Sequence, residues 1–305
     1  MNRWLVYQKE RFPLVAHGPL IAAFSACAVS FSSLLRDSPV PTVGMFITAF
    51  VVCLIMFLQL RIADEFKDAE EDARWRPYRA VPRGLVSLKE LRVVFIAGAV
   101  IQAGLVLALE PRLILILGIA WTYLALMSVE FFCRDWLKKR PVIYLVSHMG
   151  IMPLVDFFAT SCEWLPRGAT VPTGLGWFLA ASFTNGIVIE IGRKLRQPGD
   201  EEEGVETYSR LWGKSGGSVV WLFALAITLT FATMAASRIG FATPVLIALS
   251  LVFIFALIET LRFRSTSRSG KKIEVLSGIW TLVLYLMLGL VPLIIKGFSQ
   301  YGEGF

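Results

Sequence analysis

Nine apolar runs of about twenty residues each leave this chain little freedom of fold. They cover residues 14–35, 42–62, 91–109, 113–132, 142–162, 173–192, 218–236, 241–261 and 275–295 of the 305. A helix of that length crosses the hydrocarbon core of a bilayer and satisfies its own backbone hydrogen bonds, which no water can do there. Only 17% of the residues are charged and the mean hydropathy is +0.65, whereas a soluble domain carries roughly a quarter charged residues. The expectation is an all-α integral membrane protein, with nine transmembrane helices in one bundle. Residues 1–305 then form a single domain with no room for a separate soluble unit.

Basic residues set the orientation. The N-terminal segment and the four even-numbered connections hold 25 of the 30 lysines and arginines; Arg36, Arg112, Arg167, Arg238 and Lys296 are the rest. The alternation holds at every span, and an excess of Lys and Arg marks the cytoplasmic side. The N-terminus is therefore expected in the cytoplasm and the C-terminus outside, in a bacterial inner membrane. The net charge of +7 belongs to loops beside anionic headgroups, so a nucleic acid partner is not required. Residues 1–13 are basic, but the run after them is too long for a signal-peptide core and reads as a retained first span. Cys27, Cys53, Cys133 and Cys162 show no CxxC spacing, giving neither a zinc site nor a disulfide framework.

Two inner connections are long and charged, 63–90 and 193–217, and with the helix end from Glu190 the second motif loop spans 190–217. The first packs Asp64, Glu65, Asp68, Glu70, Glu71 and Asp72 into nine residues. A helix continuing from the second span would stack Asp64, Asp68 and Asp72 at i, i+4 and i+8 on one face. Like charges stacked that way repel. A hard divalent cation such as Mg²⁺ relieves the repulsion and in turn holds diphosphate oxygens; a solvated acidic loop is the plainer alternative. Arg74, Arg76, Arg79 and Arg83 follow, either to neutralise these acids or to hold phosphate oxygens with a guanidinium fork. Pro77 and Pro82 stop the helix, Gly84 permits a turn, and Ser87 caps the next span. In the second loop Glu190 is spaced to pair with Arg193 and Lys194, and Pro198-Gly199 breaks the helix.

Polar residues inside spans are functional suspects. Asp156 is the costliest, and lies toward the outer end where water could reach it. Asn185, His17 and His148 suit interhelical hydrogen bonds. Trp121, Tyr123, Phe183 and Trp221 could face a cation or simply pack.

The loop motifs resemble those of the UbiA superfamily of intramembrane prenyltransferases, and the resemblance runs over nearly the whole chain. That family has nine spans and acidic motifs after spans two and six. Its first motif, Asn-Asp-x-x-Asp-x-x-x-Asp, is similar to Asp64-Glu65-x-x-Asp68-x-x-x-Asp72, where both leading positions are substituted but remain acidic. Its Arg-Pro-x-x-x-Gly-x-x-Ser segment is similar to Arg79-Ala-Val-Pro-Arg-Gly84-Leu-Val-Ser87, with Ala80 in place of proline. Lys138-Lys139-Arg140-Pro141 resembles the Lys-Arg pair after span four, and Lys9-Glu-Arg11-Phe-Pro13 the start of span one. The second motif departs. Counting back from Gly204-Val-Glu-Thr207, Asp200 keeps the last acid, but Arg196 and Arg193 stand where the other two belong.

The resemblance implies a Mg²⁺-bound isoprenoid diphosphate whose C1–O bond breaks, with the prenyl group passing to a small aromatic or lipid-like acceptor. It assigns Asp64, Glu65, Asp68, Asp72 and Asp200 as metal ligands. It points Arg79, Lys138, Lys139, Arg193, Lys194 and Arg196 at the diphosphate. Asp68, Asp72, Lys138 and Glu190 are the expected catalytic set. Where relatives hold a second metal, Arg193 and Arg196 could clamp the diphosphate directly, or could merely pair with Glu190 and the acids at 200–203. A terpene cyclase on the same scaffold is the nearest rival. A secondary transporter would instead place ionisable groups near the midplane of broken spans, and here the acids concentrate in cytoplasmic loops.

Overall fold

Local signals set the helix ends in the computed structural model, which describes residues 2–265 and 270–302, with side chains through 297. The helices are α1 (Arg3–Arg11), α2 (Leu14–Leu35), α3 (Val43–Lys67), α4 (Ala69–Trp75), α5 (Leu88–Leu109), α6 (Leu113–Ser128) and α7 (Arg134–Lys138). They continue as α8 (Pro141–Met149), α9 (Ile151–Trp164), α10 (Leu175–Arg193), α11 (Tyr208–Ser237), α12 (Ala242–Ser265), α13 (Lys271–Leu288) and α14 (Leu290–Gly302). Ser87 and Glu90 close a capping box on α5, as the spacing predicts, while Thr42 and Thr207 accept from the first turns of α3 and α11. Pro141 opens α8, where a missing N–H costs nothing.

Eight helical stretches are long and apolar enough to cross a membrane among the described residues. The expected fourth span is shorter than 113–132: α6 has 16 residues, about 24 Å at 1.5 Å per residue. It ends early because Glu130, Phe131 and Phe132 all take positive φ (51°, 51° and 59°), a left-handed turn that no α-helix continues through. The fifth span is α8 and α9 joined at Gly150, and the last is α13 and α14 joined at Gly289. Gly289 lies so close to α2 that an added Cβ would sit 2.4 Å from the Cys27 Cα and carbonyl oxygen, so only glycine lets the two backbones meet.

Helix packing in lipid relies on close fit and on interhelical hydrogen bonds worth about 0.6–2 kcal/mol each. Gln102 donates to the Val52 carbonyl and accepts from Trp121, tying α3, α5 and α6 together (both 3.0 Å). Trp221 donates to Ser277 at 3.0 Å, Thr281 to Asn185 at 3.1 Å, and Tyr285 to Asp156 at 2.7 Å. Asp156 is fully buried, so the water access expected for it is corrected: α9 turns it into the bundle, onto Tyr285 of α13. Val93, Ile96 and Val100 of α5 and Ile247, Leu251 and Phe255 of α12 are exposed, the signature of a lipid-facing surface.

The connections gather at two ends. At one, Arg36, Arg167 and Ser38 surround buried Glu163, Arg112 donates to the Leu165 carbonyl, and Lys296 pairs with Asp37. At the other, Arg11 pairs with Glu65, Lys138 with Glu71, Tyr78 donates to Glu202, and Arg196 lies 3.6 Å from Glu274. That second end carries the basic loops; Arg268, counted with them, lies outside the described residues.

Candidate active site

The acidic loop folds as two helices rather than one. The α3 helix stops at Lys67 with Asp68 as its cap, and α4 restarts at Ala69. Backbone bonds Asp68 N to Asp64 O (2.9 Å) and Asp72 N to Asp68 O (2.8 Å) still carry the chain through. The continuous i, i+4, i+8 face is therefore bent at Asp68, and the bend sorts Asp64, Glu65, Asp68 and Asp72 into two groups.

Glu65 and Asp72 turn inward onto arginines. Asp72 is buried and accepts from Arg76 (2.8 Å) and Arg79 (2.7 Å), with Arg11 at 4.0 Å. Glu65, equally buried, pairs with Arg11. Of the four arginines in the loop, Arg83 reaches Glu10 (2.8 Å) and Arg74 lies over the Trp75 ring. Trp75 in turn packs on Gly204, where a Cβ would sit 2.4 Å from the ring and φ is +73°. Glycine there is what lets the first and second loops touch.

Asp64 and Asp68 form the other group. Asp64 is half-exposed, with Arg61 at 3.6 Å and Lys67 at 3.7 Å. No hydrogen bond or ion pair closes on the Asp68 carboxylate among the described residues. Burial raises its pKa above the ordinary value, Lys67 opposes, and the charges of Asp64, Asp72 and Glu71 push it further up. A cation seated against Asp64 and Asp68 would relieve that repulsion. Among the described residues no three acidic, histidine or cysteine side chains form a ready metal cage. Mg²⁺ commonly binds through one or two carboxylates plus waters and substrate phosphates, so this pair of acids fits it.

Across the site, Glu190 is engaged by Arg193 (2.6 Å) and Lys194 (2.9 Å), as the spacing predicts. Arg193 is within electrostatic range of Asp64 and Tyr208, and Tyr208 of Glu190 and Tyr144. Asp200 is exposed, with no ion pair among the described residues. Lys138 is held by Glu71; Lys139 is exposed at the end of α7. Of the second motif's cations, Arg193 feels the charge of Asp64 at the acidic end of α3, Lys194 is paired with Glu190, and Arg196 lies 3.6 Å from Glu274 of α13.

Sequence reasoning missed Glu130, Tyr144 and Lys67. Glu130 is buried, accepts from the Tyr144 hydroxyl at 3.1 Å, and has Lys67 Nζ at 3.6 Å and His148 Nε2 at 3.1 Å. Burial opposes its ionisation, but His148, Lys67 and Tyr144 outweigh it and hold the carboxyl below the usual range. An acid at the end of an apolar run was the available signal. His148, expected to hydrogen-bond between helices, lies 3.1 Å from Glu130 but makes its hydrogen bond within α8, to the Tyr144 carbonyl; the Nδ1 of His17 has no hydrogen-bond partner among the described residues.

The model of the UbiA prenyltransferase family matches residues 23–282. The chain belongs to that family. A digeranylgeranylglyceryl phosphate synthase of Korarchaeum cryptofilum (strain OPF8) is 26% identical over 190 residues, 60% of this chain and 62% of that relative's length. The apo structure of a UbiA homolog from Aeropyrum pernix K1 superposes with a TM-score of 0.67 at 14% identity, covering 90% of this chain and 97% of that one. A structure from work on the biosynthesis of digeranylgeranylglyceryl phosphate synthase in membranes gives 0.63 at 15%, covering 96% and 99%. Both solved structures share the UbiA fold with this chain.

Proposed function

We propose that this UbiA-family chain is a Mg²⁺-dependent membrane prenyltransferase, moving an isoprenyl group from its diphosphate to a small aromatic or lipid-like acceptor. The observation that supports this reading is the opposition of Asp64 and Asp68 on α3 to the cationic end of α10. A diphosphate carrying a metal needs both at once: acids for the cation, and guanidinium or ammonium groups for its own oxygens. Asp64 and Asp68 would hold the metal, and a bound Mg²⁺ would polarise the leaving diphosphate. Arg193, Lys194, Arg196 and Lys139 supply the remaining positive charge. Glu190 orients Arg193 and Lys194, as Asp72 orients Arg76 and Arg79, so the donors stand fixed before substrate arrives. The apolar bundle beneath excludes water from the allylic cation, which water would capture. With the basic loops on the cytoplasmic side, the diphosphate is met there and the isoprenoid tail lies in the bilayer.

The test is purified protein in detergent with labelled prenyl diphosphates of several chain lengths, with and without Mg²⁺. A prenylglyceryl phosphate, suggested by the name of the Korarchaeum relative, and a small phenol serve as acceptors. Metal-dependent diphosphate release with label in a new lipid is the expected result. Cyclic hydrocarbon formed without acceptor would move the reading to a cyclase, and no diphosphate release at any chain length would remove it.

A further inference from the structure

The Glu130–His148 contact has a proton problem that the Mg²⁺ and diphosphate groups do not touch. His148 Nδ1 lies 2.9 Å from the Tyr144 backbone carbonyl, which can only accept, so Nδ1 carries a proton. In a neutral ring Nε2 would then be a bare acceptor. It faces Glu130 Oε2 at 3.1 Å, and neither atom has a hydrogen-bond partner among the described residues. Two lone pairs that close and that buried repel, and a proton between them removes the conflict.

Everything around the pair holds it in place. The His148 ring stacks on Tyr144 at 3.9 Å and meets Phe131 edge-on. Three consecutive non-glycine residues in the left-handed region cost roughly 1–2 kcal/mol each, and the turn they form delivers Glu130 to this spot. The groups facing Glu130 are His148 and the Tyr144 hydroxyl from α8 and Lys67 from α3. Tyr144 is the exit. Its oxygen accepts from Lys67 Nζ at 3.0 Å, its hydroxyl donates to Glu130 Oε1, and it is in electrostatic range of Tyr208 beside Glu190 and Arg193.

We propose that Glu130 and His148 form a proton-holding pair that takes up, through Tyr144, the proton the acceptor loses in prenyl transfer. The inference rests on the prenyltransferase reading. As the acceptor oxygen or carbon bonds to C1, the C1–O bond breaks and its electron pair leaves with the diphosphate. The acceptor proton passes to the Tyr144 oxygen while the Tyr144 proton passes to Glu130, already ionised against a doubly protonated His148. Glu130 and His148 are positioning residues that act through Tyr144, and they complete the reaction that the diphosphate site begins.

The chain has two histidines, so ¹⁵N NMR of histidine-labelled protein in micelles can read the pair without substrate, with His17→Gln for assignment. The wild-type spectrum is expected to show a proton on both ring nitrogens of His148, and Glu130→Gln is expected to leave only the Nδ1 proton. A neutral His148 in the wild-type protein, or one indifferent to Glu130→Gln, overturns the pair. Transfer to a prenylglyceryl phosphate or a small phenol should fall about 10²-fold or more in Glu130→Gln and Tyr144→Phe, in the range of general-base losses, while a non-cleavable prenyl thiolodiphosphate still binds. Full transfer by both variants overturns the role in proton uptake. If wild-type protein transfers nothing from any diphosphate, the prenyltransferase reading and the proton-uptake role fall together, whereas the NMR result separately decides whether Glu130 and His148 hold the proton.

Discussion

Replacing Asp72 by asparagine should destabilise the protein far more than the same change at Asp68, although both belong to one motif. The Asp72 carboxylate is buried between Arg76 at 2.8 Å and Arg79 at 2.7 Å, with Arg11 at 4.0 Å. The amide keeps the shape but removes the charge, leaving three largely buried guanidinium groups with only Glu65, already paired to Arg11, as counter-charge. Hydrogen bonds to charged groups contribute about 1.5–3 kcal/mol each, and breaking a buried pair from one side costs about 3–5 kcal/mol. At roughly 2 °C per kcal/mol for a chain of this size, the melting temperature should drop by about 6–10 °C. Intrinsic fluorescence in detergent micelles without divalent ions would follow it, helped by Trp75 at the end of α4. Asp68→Asn removes a carboxylate that its neighbours repel, so it should leave the melting temperature unchanged or raise it. Equal melting temperatures for wild type and Asp72→Asn, or an equal loss in Asp68→Asn, would refute the division of the motif into an arginine-bound half and a metal-facing half.

The pH response of Asp68 follows from the same crowding. Its folded-state carboxyl is raised, so the stability it contributes is present at acidic pH and is lost as pH rises through that value. Mg²⁺ should restore it at neutral pH, by about 2.7 kcal/mol at a hundredfold excess over Kd, and Asp68→Ala should abolish that response in a thermal shift assay. In turnover, Asp68→Ala should cost about 10²–10³ in Mg²⁺-dependent diphosphate release, or 3–4 kcal/mol of transition-state stabilisation; wild-type turnover would remove Asp68 from the mechanism. Arg193→Ala and Arg196→Ala should weaken diphosphate binding in a way that added Mg²⁺ does not rescue. An Arg193→Asp, Arg196→Asp double variant that gains activity and binds more Mg²⁺ would show that the arginine clamp is wrong. Cysteines placed at Arg167 and Lys272 should label from opposite faces of the membrane, and labelling from one face would exclude nine crossings.

Much of the site was legible because local rules govern it. The pairing of Glu190 with Arg193 and Lys194 is a matter of helical spacing, and the Ser87 cap and the stops at Pro77 and Gly84 are backbone chemistry within a few residues. The orientation of Asp72 follows the opposite rule. Spacing placed it on the face of Asp64, but the partners that turned it inward include Arg11, sixty residues away and on another helix.

The sequence by itself determined the membrane class, the alternation of basic loops and the clustering of acids after the second span, because hydropathy and charge act residue by residue against lipid and water. Tertiary structure alone decided which acids turn inward onto arginines and which do not, and that Glu130 leaves the end of an apolar run to meet His148. It decided as well that Asp156 turns inward onto Tyr285. Each of these depends on which helix lies alongside, and in a low-dielectric interior a buried charge is settled by its nearest partner, which spacing along one chain segment does not specify.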